Sequence, residues 1–181
     1  QSIPALAAGK PRVWGRLEDN PRWKRVQKRG RFAIQNGEEL SPGAVYQIRD
    51  AIFEAMLEAF YRDPTLVSFG EDLRDWGSAY GAYKGLEASV PYERLFNAPI
   101  SESAIISASV GYAMLGGRAA PELMYCDFLG RAGDEVLNQL AKWQGMTAGQ
   151  LRMPVLVRMG VGSKYGAQHS QDWSSLCAHV P

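Results

Sequence analysis

Glu102 is the carboxylate in this sequence whose surroundings best suit chemistry. It follows a β-rich run at 94–97 (RLFN) and Pro99, and it opens a stretch of small residues: Ala104, Ser107, Ala108, Ser109, Gly111 and Ala113. A helix dipole favours an acid in the first turn. Small residues let a second backbone come close and leave little room for water, so such an acid can hold or share a proton. The same position also suits an ordinary helix-capping acid. His169, in Gln168-His169-Ser170, follows a glycine-rich run on the C-terminal side of a strand, where open parallel sheets place ligands. His179, near the end, reads as structural, and Phe128, directly after a strand, reads by itself as core. Gly160, Gly162 and Gly166 imitate a dinucleotide fingerprint, but they follow the last clear strand and no acid answers them about 20 residues later. No His/Cys spacing makes a zinc site, no serine stands in a strained elbow, and there is no Walker loop.

These residues need elements to position them. Ser41-Pro42 opens a helix, because proline at the first helical position loses no hydrogen bond. Ile48, Ile52, Met56 and Phe60, joined by Phe53 and Leu57, then draw one apolar stripe as far as Asp63-Pro64. Residues 65–69 (TLVSF) predict a strand ended by Gly70-Glu71-Asp72. Residues 73–90, where glycine and aromatics alternate, predict a long surface loop. Further strands are predicted at 94–97, 120–126 and 154–159. Helices are predicted at 102–115, capped by Ser101 and ended by Gly116-Gly117, and at 129–146, with Val136, Leu137, Leu140 and Trp143 on one face. Alternating strands and helices at this spacing predict an α/β fold with a mainly parallel sheet flanked by helices.

Composition narrows the classes. The chain has 181 residues, 46% hydrophobic and 22% charged, with no apolar run long enough to span a bilayer, which excludes disordered, collagenous and membrane-spanning classes. Two cysteines, Cys126 and Cys177, fit reduced thiols in a cytosolic compartment. Residues 10–31 hold nine basic and two acidic residues, a local charge of +7 on a chain of net charge +1. Residues 1–40 read as a basic, irregular N-terminal arm with at most one short helical turn. Trp14, Trp23, Val26 and Phe32 are its anchors, pressed on the acidic body or on a partner rather than on nucleic acid or a membrane.

Ten short words, in order, carry a resemblance: IRDAI at 48–52, FGED at 69–72, YKGL at 83–86, APISE at 98–102, GGR at 116–118, DF at 127–128, NQLAKW at 138–143, MTAGQ at 146–150, PVLVR at 154–158 and AQHSQ at 167–171. From Ile48 to Pro181 the chain resembles the transketolase-like, pyrimidine-binding domain of the beta subunit of thiamine-diphosphate-dependent 2-oxo acid dehydrogenases, the decarboxylating component of the pyruvate and branched-chain complexes. The resemblance implies that residues 41–181 form that domain. It implies that Glu102 hydrogen-bonds a ring nitrogen of the cofactor's aminopyrimidine, that Phe128 stacks on that ring, and that Met124 and Ile100 line its pocket. His169 matches a histidine near the substrate that assists acyl transfer to a lipoyl arm.

The implied activity is an oxidoreductase acting on the oxo group of a 2-oxo acid, with a disulfide acceptor. The family's diphosphate and magnesium signature is absent, since Gly133-Asp134 lacks a third glycine. The resemblance therefore implies an alpha subunit, or an alpha segment of a fused chain, that holds the phosphates and magnesium. It also implies a second beta chain, a lipoyl acyltransferase, and a cytoplasmic location, or the mitochondrial matrix in a eukaryote. The family's C-terminal domain is not represented, so the expectation is a truncated fragment that is inactive alone. Asn97-Ala98 stands where the family commonly has Asp-Thr, and residues 76–80 differ in composition from the family's loop; both bear on substrate and lipoyl-protein preference. Acetoin-cleaving or transketolase-like relatives use the same domain, and a non-catalytic assembly subunit is the alternative outside enzymes.

Overall fold

A computed structural model describes residues 13–28, 34–39, 47–162 and 165–181. The centre is a four-stranded parallel sheet in the order β4-β3-β5-β6, with β3 at Ser68–Gly70, β4 at Leu95–Asn97, β5 at Glu122–Tyr125 and β6 at Arg158–Gly160. This is the expected α/β class with a mainly parallel sheet flanked by helices. Val67 and Val155 extend it as single bridges to Ala119, so the ladders are shorter than the apolar runs that predict them.

Alternation along the strands sends side chains to opposite faces. Leu66, Leu95 and Ala120 point into one apolar cluster, while Val67, Phe69, Ala119 and Leu123 point into the other. The first face is covered by helix α2, Ile48–Arg62, preceded in the chain by α1, Pro21–Lys28, and a two-residue hairpin, β1 at Ile34–Gln35 with β2 at Glu38–Glu39. The second is covered by α3, Glu102–Met114.

Helix α2 buries Phe53, Met56, Leu57 and Phe60. Ile48, assigned to the stripe by its spacing, is instead 81% exposed at the helix start. The helix stops at Asp63, whose extended backbone is what a residue before proline prefers. The expected opening at Ser41-Pro42 lies outside the described residues. In α3 Ser101 makes no side-chain cap; its Oγ donates to the Pro99 carbonyl at 2.9 Å. The small residues of α3 do admit a second segment, since Ser103 and Ser107 hydrogen-bond to Arg131 and Glu135.

Three expectations are corrected. Residues 73–90 are no surface loop: Leu73, Ala82, Tyr83, Leu86 and Val90 are buried in the first cluster. Apolar side chains every few residues close that segment inward even though its backbone is irregular. The helix expected over 129–146 is a 3-10 segment, Cys126–Ala132, then a π-helical stretch, Glu135–Leu140, and only then α4, Ala141–Met146. The irregular arm contains α1, whose Val26 is buried and whose Trp23 packs on the first cluster. Trp14 is half-exposed but donates its backbone N–H to Ser89; Phe32 lies outside the described residues. No helix among the described residues is long and apolar enough to cross a membrane.

Candidate functional site

Strand order reverses between β3 and β5, because the chain leaves β3 for β4 on one side and returns to β5 on the other. In open α/β sheets, ligands bind outside the carboxyl ends of strands at such a switch point. At this point β3 approaches β5 closely. A Cβ on Gly70 would sit 2.5 Å from the Glu122 carbonyl oxygen, so only glycine fits there. Glu71 and Asp72 then leave β3, Cys126 leaves β5, and α3 begins soon after β4.

Glu102 is buried as the first residue of α3. Glu71 is also buried, and among the described residues its Oε1 has no hydrogen-bond partner. Burial pushes the Glu71 carboxyl up and the Glu102 charge pushes it further, while the Ser101 N–H opposes both. Two buried acids thus lie near the carboxyl ends of β3 and β4, close enough for the Glu102 charge to act on the Glu71 carboxyl.

The Cys126–Ala132 segment packs against α3 on one side and against the Ala167–His169 turn on the other. It carries Phe128, half-buried, whose ring lies edge-on to the His169 ring at 5.3 Å. Tyr125 stacks on His169 at 4.6 Å between centroids and lies 6.2 Å from Phe128, so the three rings form one cluster. The histidine turn is tied down by the Cys126 thiol, which donates to the Gln171 carbonyl, and by the Gln171 N–H, which donates to Asp127 Oδ1. The second Asp127 oxygen is buried and has no hydrogen-bond partner among the described residues.

A cavity of about 300 Å³ opens at the ends of β3 and β5, walled by Asp72, Trp76, Tyr80, Met124, Tyr125 and Tyr165. Burial raises the Tyr125 hydroxyl, with Tyr80 and Tyr165 adding to it. Beneath lies Glu122, 2% exposed, bonded at 2.6 Å to Arg158. Burial pushes its carboxyl up to about 7, against the pull of Arg158.

The expected residues are therefore placed as follows. Phe128 and His169 touch, Glu102 lies at the start of the helix packed on the Phe128 segment, and Met124 lines the cavity. Ile100 stands 84% exposed on the turn before α3. Asn97 braces the loop after β3, accepting from the Arg74 N–H at 2.8 Å and donating to Asp75 at 2.7 Å. Among the described residues no three His, Cys, Asp or Glu side chains gather in a set able to hold a metal ion. Sequence reasoning gave no role to Glu71, Glu122 or Tyr125. The signal for Glu122 was available, since it is an acid in the middle of an apolar strand.

The model of the transketolase pyrimidine-binding domain matches residues 45–181. The beta subunit of acetoin:2,6-dichlorophenolindophenol oxidoreductase from Cupriavidus necator is 39% identical over 146 residues, covering 74% of this chain and 43% of the relative. The pyruvate dehydrogenase E1 component subunit beta-1, mitochondrial, of Arabidopsis thaliana is 34% identical over 157 residues, covering 85% and 43%. The corresponding beta subunit from Rickettsia conorii is 32% identical over 136 residues, covering 74% and 42%. The chain thus spans less than half the length of these curated relatives.

Proposed function

We propose, for a chain that belongs to the transketolase pyrimidine-binding-domain family, that it forms the pyrimidine half of a thiamine-diphosphate site in the beta part of a 2-oxo acid dehydrogenase. The observation that carries this reading is the placement of Glu102: a buried acid at the carboxyl end of the sheet, near the buried Glu71 and with Phe128 on the neighbouring segment. The donor set suits a nitrogen heterocycle, offering a carboxyl to a ring nitrogen and an aromatic ring to its face. Thiamine diphosphate, when bound, supplies the nucleophilic carbon and the electron sink for decarboxylation.

Glu102 holds the aminopyrimidine by hydrogen bond and controls its proton. Burial, and after it the Glu102 charge, push the Glu71 carboxyl above its ordinary value. Phe128 stacks on the ring, with Met124 and Ile100 completing the pocket rim. His169, stacked on Tyr125 and edge-on to Phe128, moves a proton as the acyl group passes to a lipoyl protein. An alpha subunit or alpha segment holds the phosphates and magnesium, a second beta chain and a lipoyl acyltransferase complete the assembly, and this chain alone is inactive. It works in the cytoplasm, or in the mitochondrial matrix of a eukaryote. A second reading, oxidation of acetoin on the same site, is favoured by the 39% identity to the acetoin oxidoreductase subunit.

Both readings are tested in the full-length protein with its alpha partner, by reduction of an artificial electron acceptor with pyruvate, branched-chain 2-oxo acids or acetoin, with and without thiamine diphosphate. Cofactor-dependent turnover should fall about 10²- to 10⁴-fold in Glu102→Gln. The preferred substrate separates the two readings. A complex that binds cofactor but turns over none of these compounds refutes both.

A further inference from the structure

Arg22 stands on α1, outside the part of the chain that matches the family, yet its side chain ends on the loop that follows β3. It is 8% exposed. Its Nη1 donates to the carbonyl oxygens of Gly81 at 2.9 Å, Ala82 at 3.1 Å and Lys84 at 2.6 Å. Its Nη2 donates to the Arg49 carbonyl at 3.3 Å and to Asp50 Oδ1 at 2.9 Å. The guanidinium lies 4.4 Å from the centre of the Phe53 ring. Asn20 adds a parallel tie from the same segment, donating to the Gly85 carbonyl and to Ser89 Oγ.

The loop needs such ties. Asp72, Ser78 and Tyr80 all have positive φ, of 50°, 72° and 65°. Non-glycine residues stay in that region only where the surroundings over-determine them. From inside, the Ser78 N–H donates to the Asp72 carbonyl at 3.3 Å and the Tyr83 N–H to the Gly77 carbonyl at 2.9 Å. From outside, Arg22 captures the three carbonyls just beyond Tyr80. Between these two grips the loop presents Trp76, Ser78, Ala79 and Tyr80 as one wall of the cavity at the switch point.

We propose that Arg22 is a positioning residue for the site, so that α1 is part of the catalytic unit and holds residues 76–84 in the shape that builds the substrate-facing wall. That role in catalysis rests on the function proposed above; the grip on the loop does not. A planar fork with several donors can bind separate carbonyls and a carboxylate together while lying on an aromatic ring, and a lysine ammonium cannot reproduce this.

The test uses the full-length protein with its alpha partner and compares Arg22→Gln and Arg22→Lys with Lys24→Ala on the exposed side of α1. Amide hydrogen exchange over residues 76–85 should accelerate at least ~10-fold in both Arg22 variants, while α2 keeps its protection. The KM for the oxo substrate should rise about 10-fold or more, with a smaller change in kcat per cofactor-loaded site. Arg22→Lys keeps the charge and the packed stem, so it answers the question if Arg22→Gln does not fold. Loop exchange and KM that match Lys24→Ala, with only a lowered Tm, would overturn the proposal and leave Arg22 a stabilising residue. Should the unaltered complex show no cofactor-dependent turnover, the functional reading fails by itself, and unchanged loop exchange would still refute the grip.

Discussion

The sheet face covered by α2 and residues 71–90 holds Phe53, Leu57, Phe60, Leu73, Tyr83, Leu86 and Val90 with no exposure, whereas beyond Ala132 no described residue is buried. In that later region Val136, Leu140, Trp143, Trp173 and Leu176 are only half-covered against the second cluster. Both regions have apolar residues at helical spacing, so the difference lies in what covers them. The first region is closed from above by α1, and its irregular loop is pinned by arginines: Arg22 on carbonyls 81, 82 and 84, and Arg74 on the Val90 and Leu95 carbonyls. The second region ends in short turns. Phe128 and His169 sit where closed gives way to open, so a rigid platform supports rings that remain reachable.

The largest expected effect tests the closed region. Phe53→Ala removes a fully buried ring that also lies under the Arg22 guanidinium, and it should cost about 3 to 5 kcal/mol in urea unfolding. A loss near 1 kcal/mol would mean that the closed region is no tighter than the open one.

The next effect concerns the buried acid between the regions. Glu122 has its carboxyl raised to about 7 from an ordinary 4.5, so the folded state binds the extra proton. Its contribution to stability is therefore fully present below about pH 4.5 and is lost as pH rises through 7, by roughly 3 kcal/mol in all. Glu122→Gln keeps an acceptor for Arg158 but cannot ionise. Relative to the unaltered protein it should gain stability steadily between pH 5 and 8 in urea titrations. A pH-independent difference would show that Arg158 holds the acid ionised throughout.

The smallest effect belongs to the open region. Leu140→Ala, at a half-buried position, should cost about 1 kcal/mol for the protein alone. It should cost more in the assembled complex if a partner covers that face, and comparing the two melting temperatures measures the difference.

Much of this was legible in the residues. The 3.6-residue spacing of Phe53, Leu57 and Phe60, and the short β-rich runs before Gly70, Pro99 and Asp127, are local patterns that hold wherever the chain goes. They predict α2, β3, β4, β5 and the parallel class, and the ordered words from IRDAI to AQHSQ name the family. Boundaries drifted by a few residues because ladder ends depend on the partner strand, as at Val67 and Val155. The segment at 73–90 misled for a related reason: glycine and polar residues describe its irregular backbone, while Leu73, Tyr83, Leu86 and Val90 decide where it packs.

The sequence by itself determined which residues form strands and helices, which acid opens α3, and which family the chain joins, because each depends on neighbours a few positions away or on the words themselves. Only the tertiary structure decided that Glu71 is buried near Glu102, that Tyr125 and Phe128 both meet the His169 ring, and that Arg22 ends on the carbonyls of residues 81, 82 and 84. Those meetings join residues 31 to 62 positions apart or bring successive strand ends together. They are fixed by strand order and by burial, which no local pattern encodes.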